Sequence, residues 1–129
     1  MRVHHIGYLV KKIEKAQAEF TKLGYETEAE TVYDGLREID ICFMVKDGTR
    51  VELVAPKTET SVVTGLMGRY KNSPYHICYE SDDFDGDVEN LTKNGYAQID
   101  EPMPAPALGG RRVVFLMNSF LGMIEILEA

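Results

Sequence analysis

Two histidines and two glutamates recur at matching places of an internal duplication. A shift of 71 positions places His5–Tyr8 on His76–Tyr79, and shifts of 72 to 73 positions place Phe43 and Glu52 on Phe115 and Glu125. Self-similarity of this kind indicates that one structural unit is used twice. Imidazole and carboxylate groups are ordinary ligands of divalent metals. The sequence therefore predicts that four side chains meet at one ion: His5, Glu52, His76 and Glu125.

Strand periodicity gives these four side chains a common face. Successive side chains of a β-strand point to opposite faces of a sheet. His76 therefore opposes the apolar residues of segment 75–79, and His5 opposes those of segment 6–10. Glu52 and Glu125 each lie between two apolar residues that share the other face. We expect helices to cover the apolar faces and the four polar side chains to line the concave side of the sheet.

Each of the four residues has a simpler explanation when it is taken alone. A glutamate within a strand ordinarily faces solvent, and a lone histidine is ordinarily satisfied within the structure. Their joint occurrence on equivalent strands favours metal binding by two nitrogens and two oxygens, a set that suits Zn, Ni, Co, Fe or Mn. His4 is an alternative ligand, but His5 is the residue that aligns with His76.

The elements that must position these residues follow a repeated order. In the first half, apolar periodicity and turn residues predict a strand, a helix that ends at Gly24, and three further strands. These elements span residues 3–10, 13–23, 25–32, 38–45 and 50–55, with turns at Asp34-Gly35 and Asp47-Gly48. Residues 57–70 form a connector, within which 61–67 has weak helical character. The first half therefore reads β-α-β-β-β.

The second half repeats this order. Its elements span residues 75–81, 84–94, 96–99, 111–117 and 122–128. Pro102, Pro104 and Pro106 predict an extended loop that ends at Gly109-Gly110. We therefore predict an α+β fold of two tandem β-α-β-β-β modules that form a curved mixed sheet. The chain is expected to be one domain, with module 1 at about 1–56, a linker at about 57–73 and module 2 at about 74–129.

Composition narrows the range of partners. The chain has 129 residues and a net charge of −7, and this excess of acid argues against nucleic acid or an anionic membrane as a partner. Cys42 and Cys78 have no metal-type spacing and are expected to be buried reduced thiols. The sequence shows neither a signal peptide nor an apolar run of membrane-spanning length, so the expected location is the cytoplasm.

The ordered motifs resemble the vicinal oxygen chelate superfamily, which includes glyoxalase I, methylmalonyl-CoA epimerase, extradiol dioxygenases and antibiotic-resistance proteins. The resemblance covers nearly the whole chain. It rests on the segments 5–10, 51–56, 75–80, 109–115 and 123–128. The resemblance implies a single divalent metal ion, with the family's ligands at His5, Glu52, His76 and Glu125. Members of the superfamily commonly form dimers, so a homodimer is expected.

A complete His-Glu-His-Glu set looks like bacterial glyoxalase I, a lactoylglutathione lyase, and like the epimerases. The segments around Val51–Pro56, Arg111–Val113 and Asn118–Gly122 look more like the epimerase branch. One feature departs from that branch. The epimerases' second glutamate base falls near Leu36 here, and the nearby acids Asp34 and Glu38 are offset.

The resemblance implies a metal-dependent lyase or isomerase that transfers a proton next to a carbonyl, through a metal-stabilised enediolate or enolate. Glu125 is the first candidate for the base and Glu52 is its partner. Arg111 and Arg112 are candidates for binding an anionic substrate tail; the alternative is a solvated pair on an edge strand. The substrate would be a small molecule, such as a thioester or a glutathione adduct. A metal-bearing accessory protein without turnover is the alternative function.

Overall fold

The computed structural model describes all of Met1–Ala129. The polypeptide groups into two compact units. The first unit is Ile6–Pro74, and the second unit combines Met1–His5 with Tyr75–Ala129. The opening strand thus contributes its first residues to the second unit, which sequence periodicity could not reveal. None of the helices combines the length and apolar character that crossing a lipid bilayer requires.

The first half of the chain contains five strands and two helices. They are β1 (Arg2–Leu9), α1 (Ile13–Lys22), β2 (Glu26–Thr27), β3 (Val32–Asp34), β4 (Ile39–Lys46), β5 (Thr49–Pro56) and α2 (Thr64–Tyr70). Strand β4 pairs antiparallel with β2, β3 and β5, and β1 runs parallel to β5. The connection from β1 through α1 leads to antiparallel strands whose last member returns beside β1.

The second half repeats the pattern. It contains β6 (Ser73–Ser81), α3 (Phe84–Lys93), β7 (Ala97–Gln98), β8 (Met103–Ala105), a 3₁₀ turn (Pro106–Leu108), β9 (Arg111–Asn118) and β10 (Gly122–Glu128). Strand β9 pairs antiparallel with β7, β8 and β10, and β10 runs parallel to β6. The predicted α+β class with a repeated module is therefore confirmed, and each half has one short strand more than the predicted β-α-β-β-β order.

The duplication extends to strand register. Phe43 pairs with Glu52 across β4 and β5, and Phe115 pairs with Glu125 across β9 and β10. Two residues separate β4 from β5, whereas three separate β9 from β10. This one-residue difference explains why the sequence offset grows from 72 to 73 between these paired positions.

Helices α1 and α3 each cover the apolar face of their own unit, as predicted. Ala16 and Phe20 of α1 pack on a buried cluster that includes Met44 and Leu53. The equivalent cluster beneath α3 joins Phe84 to these buried residues: Val114, Leu116, Ile124 and Ile126. Since burial of apolar side chains is the main stabilising contribution to folding, these two clusters are the cores of the units.

Ile77 of the predicted apolar face lies outside these cores. Ile77 is 39% exposed, whereas Tyr79 of the same strand packs against the α3 cluster. Helix α3 has 10 residues and β6 has 9. At about 1.5 Å and about 3.3 Å per residue, the helix is roughly half as long as the strand and cannot cover all of it.

Two further segments differ from expectation. The predicted strand 25–32 is replaced by the short strands β2 and β3, because the intervening segment 28–31 carries exposed glutamates and leaves the ladder. The predicted proline loop contains β8, in which Pro104 pairs with Arg112 of β9. Proline lacks an N–H and is tolerated in such a short strand at the margin of a ladder. The connector helix α2 begins at Thr64, three residues later than expected.

Candidate metal centre

Three of the four predicted ligands converge within the second unit. Nε2 of His5 lies 3.2 Å from Nε2 of His76. Oε1 of Glu125 lies 3.4 Å from Nε2 of His5 and 3.7 Å from Nε2 of His76. One atom from each of three side chains therefore faces a common point.

Strand register explains this convergence. In the parallel pair β6–β10, His76 is in register with Met123, which lies two residues before Glu125. Side chains two residues apart share a face of a strand, so His76 and Glu125 project to the same side. The three side chains are buried, with relative exposures of 1% for His5, 4% for His76 and 5% for Glu125. The expectation of a solvent-facing glutamate does not hold for Glu125.

Glu52, the fourth predicted ligand, belongs to the first unit. It is also buried, at 5% exposure, and lies on β5 in register with Gly7 of β1. Gly7 follows His5 by two residues on the same strand, so the two positions share one face of β1. Glu52 is thus a buried carboxylate of the first unit, and its role as a ligand stays a prediction.

The electrostatics of the cluster favour an ionised carboxylate. Burial raises the pKa of the Glu125 carboxyl, but the adjacent His5 and His76 imidazoles lower it by more, so its pKa lies below the ordinary value of 4.5. Oε1 of Glu125 is buried and accepts no hydrogen bond of good geometry. Its close neighbours are the two imidazole nitrogens described above. A positive charge at the common point would satisfy that oxygen.

The spacing of the three atoms fits a shared cation. Two ligand atoms at about 2.0–2.2 Å from one ion, with angles between octahedral and tetrahedral, lie about 2.8–3.6 Å apart. The three measured distances, 3.2, 3.4 and 3.7 Å, lie in or just above that range. Two imidazoles with a carboxylate form a mixed nitrogen–oxygen set of the kind that binds Zn and neighbouring transition metals. The residues present therefore fit a divalent metal ion.

Aromatic rings fix the orientation of His76. Tyr75 contacts the His76 ring edge-on at 4.4 Å between centroids, and Phe115 does so at 5.1 Å. Strand alternation gave no indication of either contact with the site. Phe115 pairs with Glu125 across the two strands. The duplicated Phe-to-Glu spacing in the sequence is the signal that could have identified Phe115 as a neighbour of the site.

His4, the alternative ligand, has a separate contact. Its Nδ1 lies 2.8 Å from Nδ1 of His5, on the opposite side of the His5 ring from Nε2. His4, His5 and Cys78 also bring one potential ligand atom each to within 4.8 Å of one another. Cys78 is a buried free thiol, as expected, and so is Cys42.

The two arginines predicted to bind substrate both form ion pairs. Arg111 donates from Nη1 to Oε2 of Glu80 at 2.7 Å. Arg112 donates from Nη2 to Oε1 of Glu128 at 2.8 Å, and its guanidinium lies 4.6 Å from the centroid of the Phe84 ring. Both guanidinium groups are thus committed to carboxylates of their own unit. Their role as substrate contacts stays a prediction.

The acids near Leu36 are also engaged. Leu36 itself lies in an exposed turn. Asp34 is buried and accepts a hydrogen bond of 2.7 Å from Nη1 of Arg37. Glu38 accepts hydrogen bonds from the hydroxyls of Thr58 and Thr60 at 3.1 and 2.9 Å. Neither acid substitutes for a base at position 36 in this arrangement.

Known proteins provide independent comparisons. Residues 4–115 match the family described as the Glyoxalase/Bleomycin resistance protein/Dioxygenase superfamily. Human mitochondrial methylmalonyl-CoA epimerase is 27% identical over 131 residues, which cover 99% of this chain and 74% of the human protein.

Solved structures share the fold. Methylmalonyl-CoA epimerase from Mycobacterium tuberculosis superposes with a TM-score of 0.84 at 19% identity, covering 98% of this chain and 87% of that one. A methylmalonyl-CoA epimerase from Streptomyces coelicolor, in complex with 2-nitronate-propionyl-CoA, superposes with a TM-score of 0.81 at 21% identity, covering 100% and 94%. At these identities, the likeness establishes the common fold.

Proposed function

The chain belongs to the glyoxalase/bleomycin resistance protein/dioxygenase superfamily, and we propose that it is a divalent-metal-dependent isomerase of the epimerase type. The reaction would remove a proton from the carbon next to a thioester carbonyl and return it to the opposite face. The observation that carries this proposal is the convergence of His5, His76 and Glu125 at separations suited to one cation.

His5, His76 and Glu125 would hold the ion, with Glu52 as the fourth ligand. When bound, a divalent ion supplies Lewis-acid polarisation of a carbonyl oxygen, which makes the neighbouring C–H bond more acidic. The proposal extends the set to Glu52 because it is buried, because it pairs with Gly7 on the His5 face of β1, and because it is the repeat counterpart of Glu125.

Proton transfer would fall to the two glutamates. A general base must be deprotonated before it accepts a proton, and the lowered pKa of Glu125 keeps it in that form at neutral pH. In the substrate complex, Glu125 would take the proton as a free carboxylate and Glu52 would return one from its protonated form, which leaves Glu125 protonated and Glu52 ionised, as the reverse reaction requires. This pairing does not require an acid at position 36, where the chain has Leu36.

Relatives named as epimerases support a coenzyme A thioester as the substrate. The human relative is a methylmalonyl-CoA epimerase, and the Streptomyces coelicolor structure contains a propionyl-CoA analogue. We therefore place methylmalonyl-CoA or a related thioester ahead of the glutathione hemithioacetal that a glyoxalase would use. A homodimer of this chain, which the family resemblance implies, is part of the same proposal.

The proposal is tested by proton exchange in deuterated solvent. The metal-loaded protein should catalyse incorporation of deuterium at the carbon next to the carbonyl of methylmalonyl-CoA, and removal of the metal with a chelator should abolish it. Exchange into the glutathione hemithioacetal of methylglyoxal alone would assign the chain to the glyoxalase branch instead.

A metal-bearing accessory protein is the second candidate. The engagement of Asp34 by Arg37, and of Glu38 by Thr58 and Thr60, favours it, because no acid near Leu36 is available as a base. Metal binding without exchange into either substrate would support this candidate and contradict the enzymatic proposal.

A further inference from the structure

The contact between His4 and His5 constrains which nitrogen of His5 carries its proton. A neutral imidazole has one N–H and one lone pair, and the hydrogen bond made by one nitrogen decides the state of the other. His5 makes one contact from each nitrogen: Nδ1 faces Nδ1 of His4 at 2.8 Å, and Nε2 faces His76 and Glu125. If the His5 proton lies on Nδ1, then Nε2 offers its lone pair to the candidate metal centre.

We propose that His4 is a positioning residue that accepts a hydrogen bond from Nδ1–H of His5 and thereby directs the Nε2 lone pair of His5 toward the metal. This inference rests on the proposed function, because it assigns His4 a role in the same site. A histidine ligand ordinarily donates its second ring N–H to an oriented acceptor, which fixes the tautomer and the ring orientation. Here the acceptor would be the lone pair of His4 Nδ1.

The distance distinguishes this role from metal ligation by His4. Two nitrogens at about 2.0–2.1 Å from one tetrahedral ion lie about 3.3–3.4 Å apart. The 2.8 Å separation of the two Nδ1 atoms is shorter than that and suits a direct N–H···N hydrogen bond. The rings meet nearly perpendicular, at 79° with centroids 5.1 Å apart, so they do not stack. His4 therefore lies outside the proposed ligand set.

The duplication gives this position a counterpart. Tyr75 precedes His76 as His4 precedes His5, and the Tyr75 ring contacts His76 edge-on at 4.4 Å. Each ligand histidine is thus contacted by the residue before it, by an aromatic edge in one copy and by a ring nitrogen in the other. Of the two proposed ligand histidines, His5 is the one whose preceding residue offers a hydrogen-bonding ring nitrogen.

Two variants of equal shape isolate the acceptor. His4→Asn places an amide oxygen close to the position of the histidine Nδ1, whereas His4→Leu has the same branched outline without any acceptor. Two properties are measured for both variants and the natural chain. Nitrogen-15 NMR of the Zn²⁺-loaded protein reports whether the Nδ1 proton of His5 is hydrogen-bonded to residue 4, and calorimetric titration with Zn²⁺ reports the dissociation constant.

We expect the natural chain and His4→Asn to show a hydrogen-bonded Nδ1 proton on His5 and to bind Zn²⁺ with dissociation constants within a few-fold of each other. His4→Leu should lose that hydrogen bond and bind Zn²⁺ about 10–100-fold more weakly, the usual effect of losing such a partner. A His5 Nδ1 without a proton in the loaded natural chain, or equal affinity in the Asn and Leu variants, would overturn the role of His4.

Further outcomes are separable. A thiolate-to-metal charge-transfer band in the Co²⁺-loaded protein would place the ion among His4, His5 and Cys78, which would contradict the positioning role. If the natural chain binds Zn²⁺ but exchanges no substrate proton, the proposed function fails, and the NMR and affinity results still decide the role of His4. If the natural chain binds no metal, both proposals fail.

Discussion

At the residue scale, burial and the neighbouring imidazoles act in opposite directions on the pKa of Glu125. Burial alone would favour its neutral form, yet two imidazoles within 3.7 Å favour the carboxylate. Apolar neighbours Ile124 and Ile126 anchor the strand on the other face, within the α3 cluster. The side chain can therefore be changed in charge without loss of the packing that holds its strand.

Replacement of Glu125 by glutamine should separate charge from shape. We expect Glu125→Gln to keep the fold, with an unchanged far-ultraviolet circular dichroism spectrum, and to lose deuterium exchange into methylmalonyl-CoA by at least about 100-fold, a typical contribution of a general base. Glu89→Gln on α3 is the control, because Glu89 pairs with Lys93 on the surface, away from the site. Exchange retained in Glu125→Gln would remove Glu125 from the proposed role.

At the scale of elements, the duplicated helices begin differently. Asp83 caps α3 by accepting a hydrogen bond of 3.3 Å from the backbone N–H of Gly86. The equivalent N-cap of α1 is Lys12, which makes no side-chain capping bond. A lysine at this end also opposes the helix dipole, whereas an aspartate complements it. The first unit therefore has a helix start that is weaker than its copy.

Substitution of these two N-cap residues should change the free energy of unfolding in opposite directions. Asp83→Ala is expected to lower the free energy of unfolding by about 1 kcal/mol, and Lys12→Asp to raise it by a few tenths to about 1 kcal/mol. Urea denaturation followed by circular dichroism measures both values. Equal effects of the same sign at the two positions would contradict the difference between the two helix starts.

Sequence periodicity predicted correctly the helices and strands whose bounds depend on their own residues. Strand β10 has the predicted bounds Gly122–Glu128, and α1 ends one residue before the expected end. The prediction of one strand over 25–32 was wrong because the acidic middle of this segment leaves the ladder. Strand β8 was not predicted because Pro104 lies within it and proline ordinarily marks a loop. Exposure of Ile77 depends on the length of α3 relative to β6, which no local pattern contains.

The candidate site likewise has features that the sequence predicted and features that it could not predict. The duplication and strand alternation identified His5, His76 and Glu125, which the structure brings together. The His4–His5 contact joins side chains that alternation assigns to opposite faces of β1, so it depends on ring rotation and could not be predicted. The ion pairs of Arg111 and Arg112 join residues far apart in sequence and were likewise hidden.

At the scale of the whole molecule, several carboxylates of this acidic chain form ion pairs with arginines. Glu80 accepts hydrogen bonds from Arg2 at 2.8 Å and from Arg111 at 2.7 Å. The hydrogen bonds from these arginines lower the pKa of Glu80, and Arg2 likewise lowers the pKa of Asp82. The Arg112 guanidinium lowers the pKa of Glu128. All three shifts have the same sign.

Acid should therefore destabilise the protein through these carboxylates. A carboxyl whose pKa is lower in the folded state contributes stability above its ordinary pKa, 4.5 for Glu80 and 3.8 for Asp82, and loses it as pH falls through the folded value. We expect the free energy of unfolding to fall below pH 4.5. In Arg2→Gln the fall should be shallower. Urea unfolding across this pH range measures both, and an identical pH dependence in the variant would contradict the assignment.

The central claim is that one divalent cation binds to side chains contributed by both copies of the duplicated sequence. Anomalous diffraction from crystals of the Co²⁺-loaded protein, recorded on both sides of the cobalt absorption edge, locates such an ion directly. The account predicts a single anomalous peak coordinated by Nε2 of His5, Nε2 of His76 and carboxylate oxygens of Glu52 and Glu125. A protein without a peak, or with its peak at other side chains, would contradict it.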